Sequence, residues 1–249
     1  MMLRPLFAMA ALLVALPMPV MAAGGGGTMY NFLPDMGNRA SLQRGAKYYM
    51  NYCSGCHSLE YMRYNRIAED LEIPEDLLKE NLMFTSSNPG DTITIARRDQ
   101  DAEKWFGAAP PDLSVKVRHR GASWVYSFLM TFYLDETKPT GVNNPTLEGT
   151  SMPHVLGHLQ GWQRPVYEMV DDAHGKPRKT LKGFEMAEAG QLNEQEYEVM
   201  VADIVNFMTY VSEPAALKRF GIGIGVLFFL SIFTLLAWLL KKDYWTDVH

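Results

Sequence analysis

The two cysteines of the 249-residue chain stand beside a histidine in the sequence Cys53-Ser54-Gly55-Cys56-His57. Two thiols at this spacing on one helical turn can form thioethers with the two vinyl groups of a porphyrin, and the adjacent imidazole can then bind the iron. The spacing therefore predicts one covalently bound c-type haem, attached through Cys53 and Cys56, with His57 as an iron ligand.

Other uses of a cysteine pair fit this sequence less well. A thioredoxin-like redox pair would follow a strand in a βαβ unit, whereas this motif ends a predicted helix. A zinc site would need two more Cys or His ligands at a paired spacing, and the sequence has no second cysteine pair. A disulfide between residues so close together would constrain almost none of the chain.

Several side chains could bind the second axial position of the iron. Met152 lies in the segment Gly149-Thr150-Ser151-Met152-Pro153, where the proline disfavours a helical conformation at Met152. It follows His57 by 95 residues, enough chain to reach the other face of a porphyrin. The competing ligands are His154, His158 and His119. Because a thioether favours the ferrous state and a second imidazole disfavours it, we predict Met152 as the ligand of an electron carrier.

Helices are the main elements that must position these residues. Apolar residues recur at helical spacing from Ser41 to Cys53 and again over Glu194–Ser212, where Asn193 and Glu196 predict a capping box. Further predicted elements are a short helix over Pro74–Asn81, a helix over Ala122–Leu134, strand character at Thr92–Ala96 and a hairpin within Tyr167–Lys182. The middle of the chain, 58–190, contains nine prolines and is otherwise predicted to be loops.

Gly45 lies inside the first predicted helix. Glycine there costs about 1 kcal/mol of helix propensity relative to alanine. A second helix that approaches closely at Gly45 would explain the missing side chain.

Both ends of the chain are apolar. Residues 1–22 place Arg4 before the apolar run Leu6–Leu16 and end in small residues, which is typical of a secretory signal peptide. Phe220–Leu240 contains 21 uncharged residues, which as a helix would span about 31 Å and cross a bilayer. We therefore expect a signal peptide (1–22), a periplasmic domain (23–216), a transmembrane anchor (217–241) and a cytoplasmic tail (242–249).

The expected exported domain is acidic. Residues 24–216 hold 26 acidic residues against 18 lysines and arginines, a balance of −8. Such a surface repels phosphates, so we expect no nucleic-acid partner. The same charge would suit a cationic protein partner.

Motifs along the chain, taken in order, resemble the cytochrome c1 family, the haem subunit of ubiquinol–cytochrome c oxidoreductase (the bc1 complex). The resemblance runs from about Ser41 to the C-terminus. Its pieces are Leu42-Gln43-Arg44-Gly45, the haem motif, Ala109-Pro110-Pro111-Asp112-Leu113-Ser114, Arg118-His119, Met152-Pro153, Asp203, and Glu213-Pro214 before one C-terminal anchor.

The resemblance implies a fold and several site residues. The fold would be mainly α, a class I cytochrome c fold with loop insertions and a single C-terminal transmembrane helix, in which the haem helix crosses the Glu194–Ser212 helix. Met152 would be the distal ligand, and Arg118 would bind a haem propionate through bidentate hydrogen bonds from its guanidinium. Pro110 and Pro111 would form a rigid wall at the haem edge.

The resemblance also implies an electron-transfer subunit that is not an enzyme on its own. It would take an electron from the Rieske iron–sulfur protein and pass it to a soluble or tethered cytochrome c, in a complex with cytochrome b. The chain would cross a bacterial-type inner membrane once, with the haem domain on the periplasmic side. Alternative functions are a tethered cytochrome c that supplies a terminal oxidase or reductase, a haem sensor that binds ligands at an open iron position, or an anchor protein with an unmetallated cysteine pair.

Overall fold

The computed structural model describes residues 29–95, 97–171 and 176–246. The predicted signal peptide lies outside these residues, as do positions 247–249 of the predicted tail. Nine helices occur in the described ranges: α1 (Arg39–Tyr52), α2 (Tyr64–Leu71), α3 (Glu75–Asn81), α4 (Asp99–Phe106), α5 (Lys116–Arg120), α6 (Ala122–Met130), α7 (Gly157–Gln160), α8 (Glu194–Ser212) and α9 (Ala216–Tyr244).

Three antiparallel two-stranded sheets accompany these helices in the part of the chain that the structure describes. They pair β1 (Leu59–Arg63) with β2 (Thr92–Ile93), β3 (Tyr133–Leu134) with β4 (Val142–Asn143), and β5 (Gly161–Asp171) with β6 (Pro177–Ala189). The first two pairs are short, so the helices form most of the core.

The two helices with the clearest sequence signals have well-defined N-termini. The side chain of Asn38 accepts a hydrogen bond from the Ser41 N–H at 3.1 Å at the start of α1. At the start of α8, Asn193 accepts from the Glu196 N–H and Glu196 accepts from the Asn193 N–H, both at 2.9 Å. The predicted capping box is therefore confirmed, and both helices begin where their caps satisfy free backbone donors.

Helices α1 and α8 pack against each other at Gly45. A methyl group added at Gly45 would lie 2.1 Å from the carbonyl oxygen of Asp203, far inside van der Waals contact. The helix approach expected from the sequence is present, and only glycine fits it without displacement.

A buried carboxylate joins the same two helices beside this contact. The Asp203 side chain accepts hydrogen bonds from the Ser41 hydroxyl at 2.6 Å and from the Arg44 guanidinium at 2.6 and 2.8 Å. Asn206 donates to the Ser41 hydroxyl at 2.9 Å. This network sets the rotation of α1, and therefore the direction in which its C-terminal motif faces.

The hairpin of β5 and β6 is longer than the sequence predicted. It extends from Gly161 to Ala189 around the undescribed residues 172–175, and it contains Pro165, which pairs with Phe184. Proline argues against a central strand because it cannot donate to the ladder. In a sheet of two strands, however, each strand has an open edge, and the proline is tolerated there.

Helix α9 is long and apolar enough to cross a membrane by length and composition. It has 29 residues, a mean hydropathy of 2.4 over its most apolar window, and no buried residue in that window. The predicted anchor, residues 217–241, lies within it. An apolar window of this length that the rest of the described chain does not cover is consistent with membrane anchoring.

Candidate haem site

The cysteine motif forms a turn that continues the last turn of α1. The Cys53 N–H donates to the Tyr49 carbonyl at 2.8 Å, and the N–H groups of Cys56 and His57 both donate to the Cys53 carbonyl, at 3.1 and 2.9 Å. The Tyr49 hydroxyl donates to the His57 carbonyl at 3.0 Å from within the core. Both thiols are free. Helix α1 and its buried tyrosine therefore hold the motif in one conformation.

The His57 ring is oriented by the loop that contains Pro111. Its Nδ1 lies 2.7 Å from the Pro111 carbonyl oxygen, which can only accept a hydrogen bond. Nδ1 must therefore carry the ring proton, and Nε2 is left as the free metal-binding nitrogen. Burial lowers the pKa of His57, and the charges of Arg97 and Lys116 lower it further against the opposing effect of the Pro111 hydrogen bond. The neutral, ligating form is thus favoured.

The Asp112 carboxylate links the loop that contains Pro111 to Ser58 and Glu60, which follow the cysteine motif. It accepts hydrogen bonds from the Ser58 hydroxyl, the Glu60 N–H and the Ser114 N–H, each at 2.8 Å. Burial would raise the pKa of Asp112, but these hydrogen bonds outweigh burial and lower it. The loop is therefore fixed relative to His57 as long as Asp112 is ionised.

A cavity of about 370 Å³ opens beside the motif, a volume typical of ligand sites. Both thiols, His57 and Met152 line it. Most of the remaining lining is apolar, and includes Pro110, Pro111, Trp124, Phe128, Leu129, Ile204 and Met208. Two porphyrin-linking thiols, an imidazole and a thioether thus face one largely apolar space, which fits a covalently bound haem with two axial ligands.

The rival ligands for the second axial position are placed differently. His154 is buried and stacks on the Phe132 ring at 4.8 Å between centroids, with Trp162 edge-on at 5.8 Å. Burial, together with the smaller effect of the neighbouring His158, lowers the pKa of His154 to about 4 against the opposing effect of a hydrogen bond with Gln160. None of His154, His158 and His119 is among the residues that line the cavity, whereas Met152 is.

The structure does not bring Arg118 to the cavity. Arg118 is exposed on α5 and is not among the lining residues. Two other cations of the same helix lie near Trp124, which does line the cavity: Lys116 Nζ lies 5.8 Å and Arg120 Cζ lies 5.2 Å from its ring centroid. The role of Arg118 as a propionate ligand stays a prediction. Residues 116 and 120 share one helix face at i, i+4 spacing, and residue 118 falls on another.

Two further features of this region were not predicted from the sequence. One is the Pro111 carbonyl, which orients His57 although Pro111 was expected only to form a wall. The other is Arg120, whose Nε is buried with no hydrogen-bond partner among the described residues. The i, i+4 spacing of the basic run 116–120 was a sequence signal for Arg120. Nothing in the sequence indicated the role of the Pro111 carbonyl.

Known proteins similar to this chain agree with the geometry. The model of the Cytochrome C1 family matches residues 33–248. The chain is 52% identical over 241 residues to the cytochrome c1 of Allochromatium vinosum, covering 97% of this chain and 98% of that protein. It is 43% identical over 215 residues to a protein of Nitrosomonas europaea named "Ammonia monooxygenase gamma subunit", covering 86% of each.

A third relative is longer than this chain. It is the "Cytochrome b/c1" protein of Bradyrhizobium diazoefficiens, 25% identical over 255 residues, and the match covers 90% of this chain but 36% of that protein. The family match over most of the chain and the 52% identity together confirm the resemblance drawn from the motifs. The chain belongs to the Cytochrome C1 family.

Proposed function

We propose that this chain relays single electrons from a Rieske iron–sulfur protein to a soluble or tethered cytochrome c. Cytochrome c1 is the haem electron-transfer subunit of bc1-type complexes, where it is associated with cytochrome b, and it carries covalently bound haem c. The observation that supports this proposal is a largely apolar cavity that both cysteine thiols, the His57 imidazole and the Met152 thioether line together.

The proposed attachment uses the residues of the motif and the loop that contains Met152. Cys53 and Cys56 would form the thioethers, His57 and Met152 would bind the iron, and the bound haem would supply one-electron redox chemistry. Pro153 disfavours helix at Met152, and the Thr150 hydroxyl accepts a hydrogen bond from the Met152 N–H at 3.3 Å. Met152 therefore lies in a non-helical loop that a local hydrogen bond stabilises.

The cavity walls favour fast electron transfer. Apolar side chains from α6 and α8, among them Phe128 and Met208, line the cavity and would keep water from a haem bound there. Because little water must reorient when the charge of the site changes, a dry site lowers the reorganisation that accompanies electron transfer. No group in this arrangement needs to act as a general base or nucleophile.

We infer that Arg120 and Lys116 engage the haem propionates in place of Arg118. Their proximity to the Trp124 ring, and the unpartnered buried Nε of Arg120, support this assignment. A guanidinium can bind a carboxylate through two parallel hydrogen bonds. Lys116 and Trp124 both line the cavity, and Arg120 lies beside them.

We propose the following arrangement in the cell. Residues 1–22 direct export, residues 23–216 form a class I cytochrome c domain with insertions on the periplasmic side, residues 217–241 cross the inner membrane once, and residues 242–249 lie in the cytoplasm. The α1–α8 crossing and the apolar helix α9 support this arrangement.

The test is purification of the full chain from membranes in mild detergent. We expect a b-type cytochrome and a Rieske protein to co-purify, and quinol to reduce the c-type haem in a manner blocked by inhibitors of quinol oxidation. Co-purification with a terminal oxidase instead would replace this function with that of a tethered donor. Carbon monoxide binding to the reduced native protein would favour a ligand-binding sensor and contradict Met152 ligation.

A further inference from the structure

Arg97 is a nearly buried cation beside the cysteine motif. Its side chain is 9% exposed, whereas that of the next residue, Arg98, is 80% exposed. Arg97 Nη2 donates to the Cys56 carbonyl at 3.3 Å, and Nη1 donates to the Arg98 carbonyl at 3.3 Å. The guanidinium is therefore fixed against the segment that holds the second thiol and His57.

The charge of Arg97 is weakly compensated. Asp99 is the carboxylate paired with it, at 3.8 Å, and the Asp99 side chain is 74% exposed to water. Arg97 Nε is buried and has no hydrogen-bond partner among the described residues. A buried charge with so little compensation costs free energy, so a role in packing alone would be served better by an uncharged side chain.

The position of Arg97 gives this charge an electrical effect on the site. Cys56 lines the cavity, and the charges of Arg97 and Lys116 both act on the His57 ring. When a ferric haem takes one electron from an iron–sulfur protein, the positive charge of the site falls by one unit. A fixed cation in a poorly solvated place opposes the ferric form more than the ferrous form. A guanidinium also keeps its charge throughout the physiological pH range.

We propose that Arg97 raises the reduction potential of the haem at Cys53, Cys56 and His57 through its fixed charge. This inference rests on the proposed haem attachment. Arg97 acts on the iron site through space and through the Cys56 carbonyl, and among the described residues it makes no hydrogen bond to the side chain of His57 or Met152.

The experiment is a redox titration of the c-type absorption band in membranes or in the purified complex. Arg97→Gln removes the charge but keeps a hydrogen-bond donor for the Cys56 carbonyl, Arg97→Met removes both, and Arg97→Lys keeps the charge. Arg98→Met is the matched control, since it removes an exposed cation one residue away. Haem staining of the denatured chain measures covalent attachment in every variant.

The ratio of ferric to ferrous haem is measured at the ambient potential that leaves the unmodified protein half reduced. We expect Arg97→Gln and Arg97→Met to raise this ratio about tenfold, which corresponds to a midpoint potential about 59 mV lower. For scale, a unit charge acting across about 12 Å at an effective dielectric of about 20 changes an equilibrium about tenfold. Arg97→Lys and Arg98→Met should stay within about twofold of the unmodified ratio.

Two outcomes would overturn the proposal. One is an unchanged midpoint in Arg97→Gln with normal haem content, which would leave a hydrogen-bonding role alone. The other is an equal fall in Arg97→Lys and Arg97→Gln, which would show that the shape of the guanidinium matters and its charge does not. If Arg97→Met fails to accumulate with haem, the Gln and Lys variants still decide. Failure of the electron-relay function would appear separately, as absence of the b-type cytochrome and Rieske protein from the purified complex.

Discussion

Replacing Gly45 by alanine tests the helix crossing that positions the cysteine motif. The added Cβ would lie 2.1 Å from the Asp203 carbonyl oxygen and 2.7 Å from Phe207 Cβ. Ordinary contact begins at 3.4 Å, so α1 and α8 must separate by about 1.3 Å at this point. The obstacle is helix backbone, which cannot rotate aside as a side chain can.

Two effects of opposite sign determine the size of the change. Alanine is a better helix former than glycine by about 1 kcal/mol. Overpacking typically costs 1–3 kcal/mol or more, and separating the helices also stretches the hydrogen bonds from Ser41 and Arg44 to Asp203, each worth about 1–3 kcal/mol. We expect a net loss of about 2 kcal/mol in the free energy of unfolding.

The assay is chemical denaturation of the detergent-solubilised full chain, followed through the absorption of the attached haem. The matched control is Gly183→Ala in β6, where an added Cβ meets no atom within 4 Å, and which should stay within about 0.5 kcal/mol. If Gly45→Ala is as stable as Gly183→Ala, the close crossing of α1 and α8 is not the reason for glycine at this position.

Three further predictions concern the site. Met152→Leu should lower the haem midpoint potential sharply and open the iron to carbon monoxide, both measured spectroscopically; if neither changes, the ligand lies elsewhere. Arg120→Met should lower the haem midpoint potential because a cation beside a propionate is removed, whereas Arg118→Met should not, and equal shifts in the two variants would contradict the propionate assignment. Because hydrogen bonds hold the pKa of Asp112 below its ordinary 3.8, its contribution to stability is complete above that pH and is lost as the pH falls through its lowered pKa. In Asp112→Asn, the free energy of unfolding should therefore fall less steeply as the pH is lowered. An unchanged dependence at acid pH would argue against a role for the Asp112 carboxylate in fixing the loop that contains Pro111.

The sequence predicted those parts of the fold that depend on interactions between residues close together in the chain. The bounds of α8 follow from its capping box and from Pro214 after its end, and the predicted 74–81 helix is present as α3. Gly45 predicted a helix approach because a missing side chain has few other uses inside a helix. The motif predicted the attachment chemistry, and the family match supports covalent haem c.

The parts that the sequence did not predict depend on distant contacts. The predicted Ala122–Leu134 helix ends at Met130, since Asn144 donates to the Phe128 carbonyl at 2.7 Å and Gln160 and Gln163 donate to the Met130 carbonyl at 2.9 and 3.0 Å. These side-chain amides satisfy the free carbonyls of the last turn from far along the chain. The Pro111 carbonyl contact to His57 was missed because local patterns carry no record of such a tertiary partner.

The central claim is that Cys53 and Cys56 bind one haem covalently, with His57 and Met152 on its iron. The most direct measurement is the intact mass of the denatured chain purified from membranes, compared with Cys53→Ser and Cys56→Ser variants. We predict that the mass exceeds that of the processed polypeptide by one haem. In each single-cysteine variant, we expect the haem to be attached through one thioether or to be absent. A native chain whose mass equals that of the polypeptide alone, with no haem stain, would contradict the claim.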